Sequence, residues 1–291
     1  MANKLPEFKG KPLIEVPAFI PSANFLEGDF GKAVLKEYRG RANKDYNGDS
    51  ALNVLSYEGG IVRGSNPFAV VLVNQILEQS QSGLRVANQS DLELAIKNNT
   101  LPLREQYEDT SLVLRNEDEP NEYLARDLIA QIRARKPKMP AMIPLSELEL
   151  VADSNSPYNL GFKLKDSTHV FYDLSVLNKD GDFSSEDIDE KTGLPIKVGS
   201  KGDRHLYIRD SGLSRLCLSR DLNAYSDYEN LADSIGDGRV VIVSAKGTSQ
   251  KILPYTQREV RKYSQLVQGI KDGKYPNSKL EKVLGFFEKL K

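Results

Sequence analysis

The chain has 291 residues, of which 39% are hydrophobic and 28% charged, with a formal net charge of −1. That length can bury a large core and can divide into two domains, while the longest apolar run, Phe68 to Val73, is far short of the roughly 18–20 residues that span a bilayer. A lone cysteine, Cys217, excludes an intrachain disulfide framework, and the first residues lack a secretory leader, so a reducing, cytoplasmic location is expected.

Pro6, Pro12, Pro17 and Pro21 make the first 25 residues extended or irregular, with an edge strand at 13–16. Phe30, Val34, Leu35 and Tyr38 fall at helical spacing and predict a helix over about 30–41. Asn66 is a cap and Pro67 suits a first turn, so a buried helix runs from Pro67 to Gln79. A short strand follows at 84–87, and Ser90 to Glu93 reads as a capping box opening a helix that ends near Lys97. Residues 110–115 read as a strand, 122–135 as an amphipathic helix and 141–145 as another strand. That order suggests one βαβ unit with a right-handed crossover.

From Leu145 the texture changes to short alternating runs. The segments 146–153, 158–166, 169–177, 204–210, 212–222 and 238–245 read as an antiparallel meander, with a short helix at 225–233. From Lys246 to Lys291, eleven Lys or Arg stand against four Asp or Glu, a net of +7 that leaves −8 on the rest. Two helical stripes there, the second carrying Leu284 and Phe287, predict a basic helical hairpin with those two side chains buried. The expected fold is therefore α+β: a mixed part over 1–145, an antiparallel β-rich part over 146–245 that stands alone or merges with the first, and the hairpin over 246–291.

The stretch 176–190, VLNKDGDFSSEDIDE, bears the most specific motif. With Gly181 at the sixth position of a calcium loop, Asn178, Asp180, Asp182, Ser184 and Asp187 fall at oxygen-ligand positions. Val176 stands where the first ligand belongs, and the preceding residues read as a strand rather than an entering helix. Seven acidic residues against one lysine between Asp173 and Glu190 repel one another. The expectation is an exposed, mobile acidic connection that binds calcium weakly if at all, through Asp180, Asp182 and Asp187.

Other chemistry is sparse. His169 and His205 are the only histidines and neither sits in a nucleophile motif; both read as strand residues. No phosphate loop or dinucleotide fingerprint occurs, so no cofactor is expected. Glu105, Glu108 and Asp109, and then Glu117, Asp118 and Glu119 after the strand, are the candidates for paired-carboxylate catalysis; acidic residues ahead of a helix are the plainer reading. Tyr225 and Tyr228 could stack on a sugar or a base, although such tyrosines more often wedge a loop against a sheet. Arg258, Arg261 and Lys262 lie on the polar face of the first tail helix and could meet phosphates. Cys217 reads as structural.

The leading functional expectation is a non-catalytic binding or assembly protein with a protein or small-molecule partner and no membrane. A carboxylate-dependent, metal-assisted hydrolase is the alternative, and nucleic-acid binding through the tail a second one. Convergent carboxylates in one deep pocket separate the enzyme from the others.

Overall fold

The computed structural model describes residues 23–80, 83–166, 168–234 and 236–244, with the backbone of two short strands near the start. The chain divides into two compact units, 1–19 with 248–291, and 20–247. In the first, β1 (Glu7–Phe8) and β2 (Lys11–Pro12) form a small antiparallel pair. The edge strand expected at 13–16 and the tail hairpin, including Leu284 and Phe287, lie outside the described residues.

The second unit, 20–247, is α+β. In chain order it runs β3 (Asn24–Phe25), α1 (Gly28–Asp45), β4 (Ser56–Glu58), β5 (Ile61–Arg63), α2 (Pro67–Gln79), β6 (Leu84–Val86), α3 (Gln89–Lys97) and β7 (Glu108–Leu114). It continues through α4 (Glu122–Ile132), β8 (Ala141–Pro144), β9 (Leu148–Ala152), β10 (Leu160–Leu164), β11 (Gly181–Phe183), β12 (Arg204–Ile208), β13 (Leu213–Leu218), β14 (Ala224–Ser226) and β15 (Val241–Ser244). The main sheet has the order β11-β12-β14-β13-β7-β8, so it draws strands from both sides of residue 145. A three-stranded sheet, β3-β15-β6, and the hairpins β4-β5 and β9-β10 complete the set.

α2 lies in the main core and is buried along most of its length. The Asn66 side chain accepts from the Ala69 amide at 2.8 Å and donates to the carbonyls of Ala51 and Ala232 at 2.8 and 2.9 Å, so one residue caps the helix and ties two loops to it. Phe68 stacks on Phe162 at 4.8 Å between centroids, joining α2 to β10. α3 begins two residues earlier than expected. Asn88, not Ser90, is the cap, and its reciprocal partner is Asp91. Asp91 also forms an ion pair with Arg85 at 2.6 Å, and that second bond favours the earlier start.

Three expectations give way. β7 and β8 are antiparallel, with Leu114 opposite Ala141, so the chain leaves and re-enters the sheet at the same end. The segment carrying α4 is an elaborated hairpin and not a crossover. The run 169–177 forms no strand: Phe171 makes an isolated bridge to Met142 and Ser175–Asn178 is one turn of 3-10 helix. The helix expected at 225–233 starts instead as a strand, with β14 inserted between β12 and β13 and parallel to β12.

The main sheet buries both faces near its centre. Val113, Met142, Leu206, Leu216 and Phe183 face a core under the 170–199 connection. Leu112, Leu114 and Leu213 face α2 and α4 on the other side. A third cluster, with Ala87, Leu92, Leu218 and Val243, lies between α3 and the three-stranded sheet.

Candidate functional site

The acidic stretch folds around a histidine. Gly181–Phe183 is the edge strand β11, paired with β12, and Asp182 and Gly199 exchange two backbone hydrogen bonds on its outer side. Phe183 is 2% exposed, so the segment is anchored in the core and is not the free connection expected. Asp182 and His205 are opposite one another in register. Their side chains meet at 2.7 Å through Nδ1, and Asp180 reaches Nε2 at 2.7 Å. Two carboxylate acceptors require two N–H donors, which only the imidazolium has. Burial alone would lower the His205 pKa, but the hydrogen bonds and charges of Asp182 and Asp180 outweigh it and the net shift is upward. The other three candidate ligands are used elsewhere or lie apart. Asn178 closes the 3-10 turn, Ser184 accepts from the Glu186 amide at 3.2 Å, and Asp187 pairs with Lys197 at 3.5 Å. Among the described residues no group of three or more His, Cys, Asp or Glu is arranged to hold a metal.

His205 begins a row of rings. It lies 4.3 Å from Tyr207, which stacks on Tyr225 at 4.3 Å, which stacks on Tyr228 at 5.5 Å. The alignment follows from register: Tyr207 is opposite Tyr225 across β12 and β14, and Cα partners present their side chains on one face. Tyr207 and Tyr225 are half-buried, and Tyr228 is 46% exposed. Burial raises the phenol pKa values of Tyr225 and Tyr228, and a hydrogen bond with Tyr207 adds to the effect at Tyr225. Those two phenols therefore stay neutral at physiological pH.

The inner end of the row is charged. The Arg215 guanidinium lies over the Tyr228 ring at 5.1 Å and over the Tyr107 ring at 5.7 Å. Arg215 is 5% exposed, donates to the Asp233 carbonyl at 2.9 Å, and has Asp109 Oδ1 at 3.6 Å. Burial opposes its charge, but Asp109 together with Cys217, Tyr107 and Asp233 outweighs it and the guanidinium is held protonated. Asp109 in turn accepts from Ser65 Oγ at 2.7 Å, and Tyr107 donates to the Ser65 carbonyl at 2.7 Å. Next to Asp109, Glu108 is 2% exposed, and among the described residues no hydrogen-bond partner meets either of its carboxyl oxygens. Burial raises the pKa of both acids. Both face a cavity whose space for a water-sized molecule is about 10 Å³, the scale of a single water.

The carboxylates singled out in the sequence thus separate. Glu108 and Asp109 enter the interior, while Glu105, Glu117, Asp118 and Glu119 are exposed. Cys217 is 1% exposed in β13, and burial raises its thiol pKa well above the usual value, which fits a structural role. Arg258, Arg261 and Lys262 lie outside the described residues. Sequence reasoning overlooked Tyr207, Arg215 and Ser65. The one available signal was the His-x-Tyr alternation of 205 and 207 within a strand. Comparison with protein-family models, with curated proteins and with solved structures found no match for this chain.

Proposed function

We propose that the protein is a non-catalytic binding protein, and that its partner lies along the Tyr207–Tyr225–Tyr228 row on the open half of the main sheet. The observation that carries this reading is the continuous stack of three partly exposed tyrosines, drawn from two segments and backed by a buried arginine. Tyrosine brings a rigid apolar body with a polar tip at small entropic cost, which is why it is enriched where proteins meet ligands and partners. The ring faces are largely occupied by one another, so a ligand meets ring edges and hydroxyls, together with the outer Tyr228. The neighbouring charges are paired: Arg209 with Glu229 at 3.2 Å, and Arg220 with Asp237. The row therefore suits a neutral partner, a saccharide or an extended peptide, better than a polyanion. A lone cysteine, buried and reduced, favours a cytoplasmic setting.

The test follows tyrosine ring resonances of the full chain during titration with soluble oligosaccharides, mononucleotides and extended peptides. A binder should shift the Tyr225 and Tyr228 signals. Tyr228→Ala, at an exposed position, should then weaken it by about 1–3 kcal/mol, the range measured for a base stacked on an aromatic ring. A binder that leaves these signals unmoved and is indifferent to Tyr228→Ala places the site elsewhere.

The hydrolase reading keeps one observation in its favour, the adjacent buried acids Glu108 and Asp109 with raised pKa values. Their cavity has room for about one water, so a substrate would require the interior to open. Nucleic-acid binding through Arg258, Arg261 and Lys262 would show as affinity falling steeply with salt.

A further inference from the structure

We propose that Glu108 is held as an uncharged carboxylic acid in the folded protein, and that its ionisation is a built-in pH-dependent release of the packing of the three-stranded sheet and α3 against β7. Both carboxyl oxygens are buried without a hydrogen-bond partner among the described residues, a position that an ionised carboxylate could hold only at a large desolvation cost. The walls of the adjoining cavity offer no alternative. Val70 of α2, Val86 of β6, Leu92 of α3 and Val241 of β15 are apolar, and the remaining polar wall is Asp109.

The charged groups around Glu108 do not rescue an anion. From β7 itself, Asp109 repels it. On β13, Arg215 is directed to Asp109, and Cys217 is kept as a thiol by burial. Ahead of β15, Arg239 attracts Glu108, yet no ion pair within 4.0 Å forms among the described residues, and the Arg239 Nη1 donates to the carbonyls of Gly236 and Gly238. On α3, Glu93 is committed to Arg204 and Asp91 to Arg85. A small cation in place of the proton would need several oxygen ligands, and among the described residues lining the cavity two, Glu108 and Asp109, carry a carboxyl group.

The direction of the pH effect follows. The native acid keeps its proton to higher pH than the unfolded one, whose pKa is about 4.3. The stabilising difference is complete below that value and is lost as pH rises through the folded-state pKa. Across that interval the folding constant falls by up to about tenfold per pH unit. Once ionised, the group needs water. The elements that must yield are those that wall the cavity, beginning with the β15–β6 pairing of Ile242 opposite Val86.

Infrared difference spectra of the full chain carrying isotope-labelled glutamate test this directly. One glutamic acid should remain protonated at neutral pH in the wild type and be missing in Glu108→Gln. Urea unfolding from about pH 5 to about pH 8 should show the wild type losing up to about tenfold per unit relative to the variant, while the variant lacks that slope. Hydrogen exchange at Ala87, whose amide donates to the Val241 carbonyl at 2.8 Å, should accelerate with pH in the wild type beyond the intrinsic rate, and not in the variant. A fully ionised glutamate set at neutral pH, or parallel profiles for the two proteins, would overturn the proposal. If the variant does not fold, the wild-type spectrum decides alone.

Discussion

The pair Glu93–Arg204 offers a sharp test of the energetics. Arg204 on β12 and Glu93 on α3 meet through two hydrogen bonds of 2.6 and 2.7 Å, with side chains 3% and 8% exposed. Arg204 Nε donates to the Leu222 carbonyl, its guanidinium covers the Phe183 ring at 4.8 Å, and Glu93 also accepts from Gln89 Nε2 at 3.0 Å. Removing one partner strands the other, because both side chains are buried. Glu93→Gln turns an amide toward a buried guanidinium, and Arg204→Met leaves a buried carboxylate with Gln89 alone. Each should cost about 3–5 kcal/mol, a large share of the roughly 5–15 kcal/mol that holds a domain together. The double change Glu93→Leu with Arg204→Met removes both charges and should recover most of the loss, ending within about 1–2 kcal/mol of the wild type in either direction. Urea unfolding followed by far-ultraviolet circular dichroism at fixed pH gives all four corners of the cycle. Single changes costing under about 1 kcal/mol that add in the double variant would match an exposed pair, and would refute the buried geometry.

Three further outcomes follow from the packing and the charges. Phe68→Ala removes a side chain with 0% exposure that stacks on Phe162, and should cost about 3–5 kcal/mol in chemical unfolding. Gly64 has φ +93° and a Cβ there would sit 2.0 Å from the Val54 carbonyl oxygen, so Gly64→Ala should lose more than the roughly 1–3 kcal/mol of a forced conformation and lower the melting temperature sharply. His205 should titrate above its ordinary value in histidine-ring NMR, and Asp182→Asn should bring it down. Because the folded pKa is raised, the stabilisation from this clamp is complete below the unfolded value of about 6.5 and is lost as pH rises through the folded one; a His205 pKa unchanged by Asp182→Asn would refute the clamp.

What could be read in the sequence was local. α2 was legible to the residue because Asn66 and Pro67 mark its start and its apolar run ends in a polar Gln-Ser-Gln-Ser stretch. α3 was found but its cap misplaced, since Asn88 and Ser90 are both good caps and only the ion pair of Asp91 with Arg85 separates them. Strand partners were not legible. Residues 169–177 alternate like a strand, but their pairing beside β8 amounts to an isolated bridge between Phe171 and Met142. Tyr225 looked helical in its own neighbourhood; its strand conformation depends on Tyr207 and Cys217, which are distant in sequence. Charge misled as well. Glu108 and Asp109 read as lying ahead of a strand over 110–115, yet they open a strand buried at all seven positions, where the decisive fact is sheet position rather than residue type.

One irregularity links the interior to the proposed binding face. In an unbroken strand, residues an odd number apart point to opposite sides. Asp109 and Leu112 are three apart, yet they face the same side, because β7 carries one extra residue, Thr110, where its register with β13 shifts between Leu216 and Cys217. Thr110 is itself held there by its hydroxyl, which donates to the Leu216 carbonyl at 3.1 Å. Across a single face the sheet therefore passes from Leu112, Leu114 and Leu213 in the core, through Asp109, Arg215 and Cys217, to Tyr225, Tyr207 and His205 at the open edge. The bulge brings a carboxylate to within 3.6 Å of Arg215, and without that charge a guanidinium 5% exposed would be left uncompensated. With it, Arg215 can lie under Tyr228 and end the row of rings. The tyrosine face is thus an extension of the core layer, held in place by a buried ion pair that one inserted residue makes possible.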